Sequence, residues 1–269
     1  MTSTPPNDLA HTLSKVPAVT LGFWAIKILA TTLGETGGDS VTMTWLGETT
    51  EEATGYGYLI GTAIFGVLLV VLVLLQIRAR KFNAWLYWAT IVASTTAGTT
   101  LADMATRSLG IGYPGGSLLL LACVLVSLFA WYKALGTVDV NTVSGRREET
   151  YYWITITFSQ TLGTALGDWI ADSSLSYSGS ALIFGAALIV VAALYAATKI
   201  SRVLLFWSAF ILTRPLGATV GDFLDKPRES GGLELSRPLA SVVLLIVIVG
   251  LIFLLSQRPG GHSGSEKAA

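Results

Sequence analysis

The 269-residue chain is 52% hydrophobic and 13% charged, with seventeen basic and seventeen acidic side chains. That is too apolar for a water-soluble domain of this length, and no nucleic-acid partner is expected of a chain without net charge. The lone cysteine, Cys123, excludes an intramolecular disulfide and reads as a packing residue.

Residues 1–16 are expected to form a cytoplasmic tail, because Pro5, Pro6 and Asp8 replace the basic start and apolar core of a removable signal peptide. Residues 17–257 read as a transmembrane domain. A moderately polar segment at 19–45 precedes a plain apolar span at 57–76, and the same pair recurs as 83–109 with 116–135. It returns as 151–175 with 180–199, and as 203–224 with 239–256. Residues 258–269, with Pro259, Gly260, Gly261 and Gly264, read as a flexible tail. His11 and His262 fall in the two tails.

The four polar segments share one register: Trp24/Gly34/Asp39, Trp88/Gly98/Asp103, Trp153/Gly163/Asp168 and Trp207/Gly217/Asp222. The predicted fold is therefore all-α, a polytopic membrane protein of eight transmembrane helices. Four parallel two-helix repeats, about 19–81, 82–146, 147–201 and 202–257, surround a polar interior. Arg78, Arg80, Lys81, Arg146, Arg147, Lys199, Arg202 and Arg258 mark one side, and Glu48, Glu51, Glu52 and Asp172 the other. By the positive-inside rule both termini are cytoplasmic. The tryptophans are then expected at the cytoplasmic interface, about 22 Å from the aspartates at 1.5 Å per residue. Asp172 and Asp225 are expected at solvated outer helix ends.

One carboxylate per repeat inside apolar sequence is costly and points to function. Glu35 precedes Asp39 by one helical turn only in the first repeat, so a hard-cation site is expected from Glu35, Asp39, Asp103, Asp168 and Asp222. Thr32, Thr36, Thr96, Thr99, Thr161 and Thr164 share the aspartate faces and are expected to line a pore. Lys27 and Arg214 interrupt the apolar sequence and are expected to balance charge, although Lys27 can instead extend its amine to the cytoplasmic interface. Pro215 is expected to kink the fourth polar helix. Paired small residues at Gly34/Gly38, Gly98/Ala102, Gly163/Gly167 and Gly217/Gly221 permit close helix approach.

The segments 33–39, 97–103, 162–168 and 216–222, each carrying glycine and ending in aspartate, resemble a bacterial family of uncharacterised repeat-containing membrane-anchored proteins. That resemblance implies an inner-membrane location. The first segment is similar, more loosely, to cation/proton exchangers whose two repeats carry E-x-G-D-[KR]-[ST]; here one residue is inserted and the basic position is missing. The expected function is membrane transport of a divalent cation (Mn, Mg or Ca, manganese foremost), with proton-coupled export and no organic cofactor. The lipid bilayer and an inorganic cation are the expected partners. An intramembrane aspartyl protease and a structural or partner-binding membrane protein are the competing readings.

Overall fold

The computed structural model describes residues 13–50 and 53–261. Eight long helices carry the fold: α1 (Leu21–Asp39), α2 (Tyr56–Arg78), α3 (Ala84–Asp103), α4 (Tyr113–Leu135), α5 (Arg146–Ile170), α6 (Ser176–Ala197), α7 (Arg202–Asp225) and α8 (Arg237–Leu254). Their starts follow from local chemistry. Thr20, Asn83 and Ser201 cap α1, α3 and α7 by accepting backbone N–H bonds from Phe23, Leu86 and Leu204, while Pro114 and Pro238 open α4 and α8 where no N–H is needed. Single π-helical turns follow α1, α3 and α5 at Ser40–Trp45, Met104–Ser108 and Ala171–Leu175. Pro215 lies inside α7, which runs as one helix from Arg202 to Asp225.

Among the described residues five helices, α2, α4, α6, α7 and α8, are long and apolar enough to cross a membrane. Four of these (α2, α4, α6 and α8) leave most of their apolar length exposed, whereas α7 is mostly buried. The more polar α1, α3 and α5 join α7 in the interior. Each of these four packs against two others, α1 on α3, α3 on α5, α5 on α7 and α7 on α1, which closes a ring. The outer helices are passed forward around it: α2 packs on α3, α4 on α5, α6 on α7, and α8 returns to α1.

Close approach depends on the repeated glycines. A Cβ on Gly34 would overlap Thr95, one on Gly98 would meet the Gln160 backbone, one on Gly163 would overlap Arg214 and one on Gly217 would overlap Thr31. In every case the partner stands three residues before the next helix's own glycine, so equal offsets meet around the ring and the four helices run in one direction. Threonine hydroxyls bond across the same contacts, Thr95 to the Ala30 carbonyl (3.1 Å) and Thr31 to the Thr213 carbonyl (3.2 Å).

One end of the ring is an aromatic plug. Phe23, Tyr87, Tyr152 and Phe206 precede the motif tryptophans, and all four are buried. Trp88, Trp153 and Trp207 are buried with them, and Trp24 stacks at the margin, 5.2 Å from Phe23 and 5.7 Å from Phe206. The indoles of Trp88, Trp153 and Trp207 therefore face other aromatic side chains and not a surrounding belt, while Trp24 is half-buried. Their indoles fill the ring's end because the smaller residues beyond them let the helices approach. The Trp88 indole donates to Gln257 Oε1 (3.0 Å) and that of Trp207 to the Val138 carbonyl (2.9 Å).

Residues 14–18 and 258–260 pair across this plug, with Ser14 N–H bonding Gly260 O (3.0 Å) and Ala18 N–H bonding Arg258 O (2.8 Å). Lys15, in the same segment, forms a buried ion pair with Glu149. Arg258 and Gly260, expected in a flexible tail, are therefore held by backbone hydrogen bonds; residues 262–269, with His262, and His11 lie outside the described residues. Within the plug the Tyr87 and Tyr152 hydroxyls bond each other at 2.6 Å. Tyr87→Phe is expected to lower stability by about 1 kcal/mol, and adding Tyr152→Phe to recover part of the loss, as read from denaturant unfolding in detergent.

Candidate functional site

The ring interior is organised in layers four residues apart. Beyond the aromatic plug come Lys27, Ile91, Ile156 and Phe210, then Thr31, Thr95, Gln160 and Arg214, then Glu35, Thr99, Thr164 and Ala218, and last the four motif aspartates. All of these side chains are buried. A four-residue step turns a helix by 40°, so this line stays on the axis only because the helices cross obliquely.

Arg214 fills the axis. From its own layer the guanidinium reaches the next, into the space left by Ala218. It donates to Glu35 Oε2 (3.0 Å), Thr99 Oγ1 (2.6 Å) and Thr164 Oγ1 (2.5 Å). One cation thus ties α7 to α1, α3 and α5 together.

The aspartate layer is joined in two halves by bases that stand four residues after Asp103 and Asp222. Lys226 Nζ lies 2.5 Å from Asp39 Oδ2 and 3.0 Å from Asp222 Oδ1. Arg107 lies 2.9 Å from Asp103 Oδ1 through Nε and 3.7 Å from Asp168 Oδ2 through an outer nitrogen. The contacts at Asp222 Oδ1 and Asp103 Oδ1 are ion pairs without hydrogen-bond alignment. Both Asp225 carboxylate oxygens and Asp39 Oδ1 are buried and accept no hydrogen bond among the described residues. Arg237 stands 3.7 Å from Asp225.

Oxygens of Glu35, Asp168 and Asp222 lie within 4.8 Å of one another, as do those of Asp39, Asp222 and Asp225. Hard cations take oxygen ligands at about 2.0–2.6 Å, and two ligands on opposite sides of such an ion then stand up to about 5 Å apart. Both trios are of that size.

All five carboxylates expected at the site meet in this one cluster, and Arg214 joins it through Glu35. Lys27 does not. It neither balances a carboxylate nor reaches an interface: it is fully buried one turn before the Arg214 layer, its Nζ 4.1 Å from the Phe210 ring centroid and without a hydrogen-bond partner among the described residues.

The expected threonine lining also narrows. Thr99 and Thr164 face the axis, but Thr36 accepts a hydrogen bond from Ser241 on α8 (2.9 Å) and Thr96 borders an outer apolar groove with Phe65 and Ile248. Thr32 and Thr161 donate to their own helices, at the Ile28 and Thr157 carbonyls. The physical reason is the four-residue stepping. Thr32, Thr96 and Thr161 stand one residue past the axial layer, about 100° away from it.

Asp172 is exposed as expected, whereas Asp225 is buried and belongs to the cluster. Of the acidic loop, Glu48 accepts hydrogen bonds from Gly55 and Gly57 N–H, and Glu51 and Glu52 lie outside the described residues. Arg107 and Lys226 are the site residues that the repeat arithmetic overlooked. The signal was present, since a base four residues after an aspartate shares its helix face.

A protein-family model described as a repeat of unknown function (DUF347) matches the chain at residues 22–82, 86–137, 151–201 and 205–258. No curated protein and no solved structure matches, and the looser likeness to cation/proton exchangers finds no support.

Proposed function

The chain belongs to the family defined by this fourfold repeat of unknown function, and from that premise we propose that it is a membrane carrier for a hard divalent cation, manganese foremost. In this reading all eight helices cross the bilayer, each repeat supplying one inner and one outer helix, and the four repeats are parallel. The membrane is the bacterial inner membrane, with both termini cytoplasmic and the aspartate layer toward the outside. Export is coupled to inward proton movement.

The observation that carries the proposal is the charge of the buried cluster. Six carboxylates (Glu35, Asp39, Asp103, Asp168, Asp222 and Asp225) face four basic partners (Arg107, Arg214, Lys226 and Arg237). Two negative charges are left over, and one divalent cation or two protons neutralise them. Alternation between those two loads gives an exchange that moves no net charge. The Arg214 plug supports a carrier over an open channel, because a fixed guanidinium on the axis opposes free passage of cations.

The test is flux in proteoliposomes. Manganese efflux against an inward proton gradient is expected, insensitive to an imposed membrane voltage, and Asp39→Asn with Asp168→Asn is expected to slow it at least tenfold. Flux that is unchanged in the double variant removes the proposal.

A structural reading has one observation in its favour: every motif aspartate lies within ion-pair distance of a base. It predicts that no hard cation shifts the melting midpoint and that the aspartate variants lose stability alone. A protease reading gains nothing from the geometry, since the aspartate pairs are bridged by bases instead of sharing a proton.

A further inference from the structure

The two halves of the aspartate layer are unequal. Arg107 bridges Asp103 and Asp168 with a side chain that is 36% exposed, and Thr106 and Ala171 stand three residues after those aspartates. Lys226 bridges Asp39 and Asp222 with a side chain 11% exposed, and the residue three after Asp222 is a third carboxylate, Asp225. Among the described residues the second half holds a trio of its own, oxygens of Asp39, Asp222 and Asp225 within 4.8 Å of one another, whereas Asp168 of the first half joins a trio only with Glu35 and Asp222; the Asp225 oxygens and Asp39 Oδ1 are buried without hydrogen-bond donors, as are both Asp103 oxygens in the first half.

A lysine ammonium is a compact point charge on a flexible four-carbon stem, unlike the planar fork of arginine. It occupies an all-oxygen site much as a metal ion would. An ion bound by Asp39 and Asp222 cannot share the space with an Nζ at 2.5 and 3.0 Å from the same carboxylates.

We propose that Asp39, Asp222 and Asp225 form a divalent-cation site held in the resting protein by the Lys226 ammonium, a tethered competitor that the incoming ion displaces. The inference deepens the transport reading and rests on the cluster taking a hard cation. Lys226 is followed directly by the exposed Pro227, Arg228 and Glu229, so a displaced ammonium moves toward solvent and not through the ring. Displacement exchanges the single charge of the ammonium for the two of the metal, so the six carboxylates then face Arg107, Arg214, Arg237 and the ion and keep one negative charge, where an ion bound without displacement would leave none.

The measurement is manganese binding to the detergent-purified full chain, by calorimetric titration with manganese chloride. Lys226→Gln is expected to bind at least tenfold more tightly than the wild type, Lys226→Arg to stay near the wild type, and Asp225→Asn added to Lys226→Gln to abolish the gain. Arg107→Gln removes an equal charge from the other half and is expected to give no such gain. An equal gain from Arg107→Gln, or none from Lys226→Gln, overturns the inference.

Should Lys226→Gln not fold, the wild type provides the second readout. Acylation of Lys226 by a water-soluble amine reagent is expected to accelerate when manganese is added, and protection by manganese overturns the displacement. If flux depends on Asp39 and Asp168 while these outcomes fail, only this inference falls. If neither flux nor manganese binding is found in any variant, the transport reading falls with it.

Discussion

Arg214→Ala is expected to be the most damaging single substitution in the ring, lowering unfolding free energy by about 3–5 kcal/mol, the range for removing one partner of a buried ion pair. The side chain is fully buried, and its loss strands the Glu35 carboxylate and the Thr99 and Thr164 hydroxyls together. It also opens a void on the axis, because Ala218 is too small to fill the layer that the guanidinium enters. Arg214→Lys is expected to recover part of the loss, since an ammonium restores charge but cannot span three helices from one plane. The decisive comparison is the double variant Arg214→Met with Glu35→Gln. If the stranded charge dominates, it is more stable than Arg214→Met alone; if the two are equal in denaturant titrations, the void dominates instead.

Gly217→Ala and Gly34→Ala are expected to cost about 3 kcal/mol each, at the upper end of the range for overpacking a filled interior. In both cases the added methyl overlaps a threonine hydroxyl and also approaches that threonine's backbone carbon, 2.8 Å from Thr31 and 3.0 Å from Thr95. A side chain rotates away, but backbone does not, so the helices must separate. That separation breaks the hydroxyl bonds running from Thr31 to Thr213 and from Thr95 to Ala30. Gly66→Ala and Gly185→Ala are the controls, with nothing within 4 Å of the added methyl. There the change is expected to be neutral or to stabilise by up to about 1 kcal/mol through helix propensity. Equal melting shifts at Gly217 and Gly66 would show that the ring contacts are not what the small residues protect.

Much of this arrangement was legible in the chain. The helix positions were accessible because apolar runs and polar segments alternate with fixed spacing, and the inner role of the polar segments followed from what lipid will not accept. The convergence of Glu35 with the four aspartates was accessible for the same reason, as equal registers in parallel helices meet at equal depth. What escaped was decided between helices. The side of a helix that Thr36 or Thr96 presents depends on crossing geometry, which no single segment encodes. Lys27 looked like a charge needing water or a partner, yet it lies against Phe210, a neighbour supplied by a helix 183 residues away in sequence. The tryptophans resembled an interfacial belt because residue type alone does not say whether an indole faces lipid or a ring of other aromatics. Arg107 and Lys226 were overlooked for a different reason: the repeat was read up to its aspartate, and the alternation of bases beyond it breaks the fourfold pattern into two halves.

The forward passing of outer helices has a consequence for how the protein is made. Each of α3, α5 and α7 meets its outer cover immediately before or after it in the chain, since α2, α4 and α6 are synthesised just ahead of them. The first inner helix is the exception. Its cover is α8, so α1 leaves the ribosome some 200 residues before the surface that will shield it. Through that interval Thr36 lacks the Ser241 hydroxyl. A nascent chain halted before α8 therefore has all four helices of its inner ring but leaves the outer face of α1 uncovered, and arrival of the last helix is the event that ends this exposure.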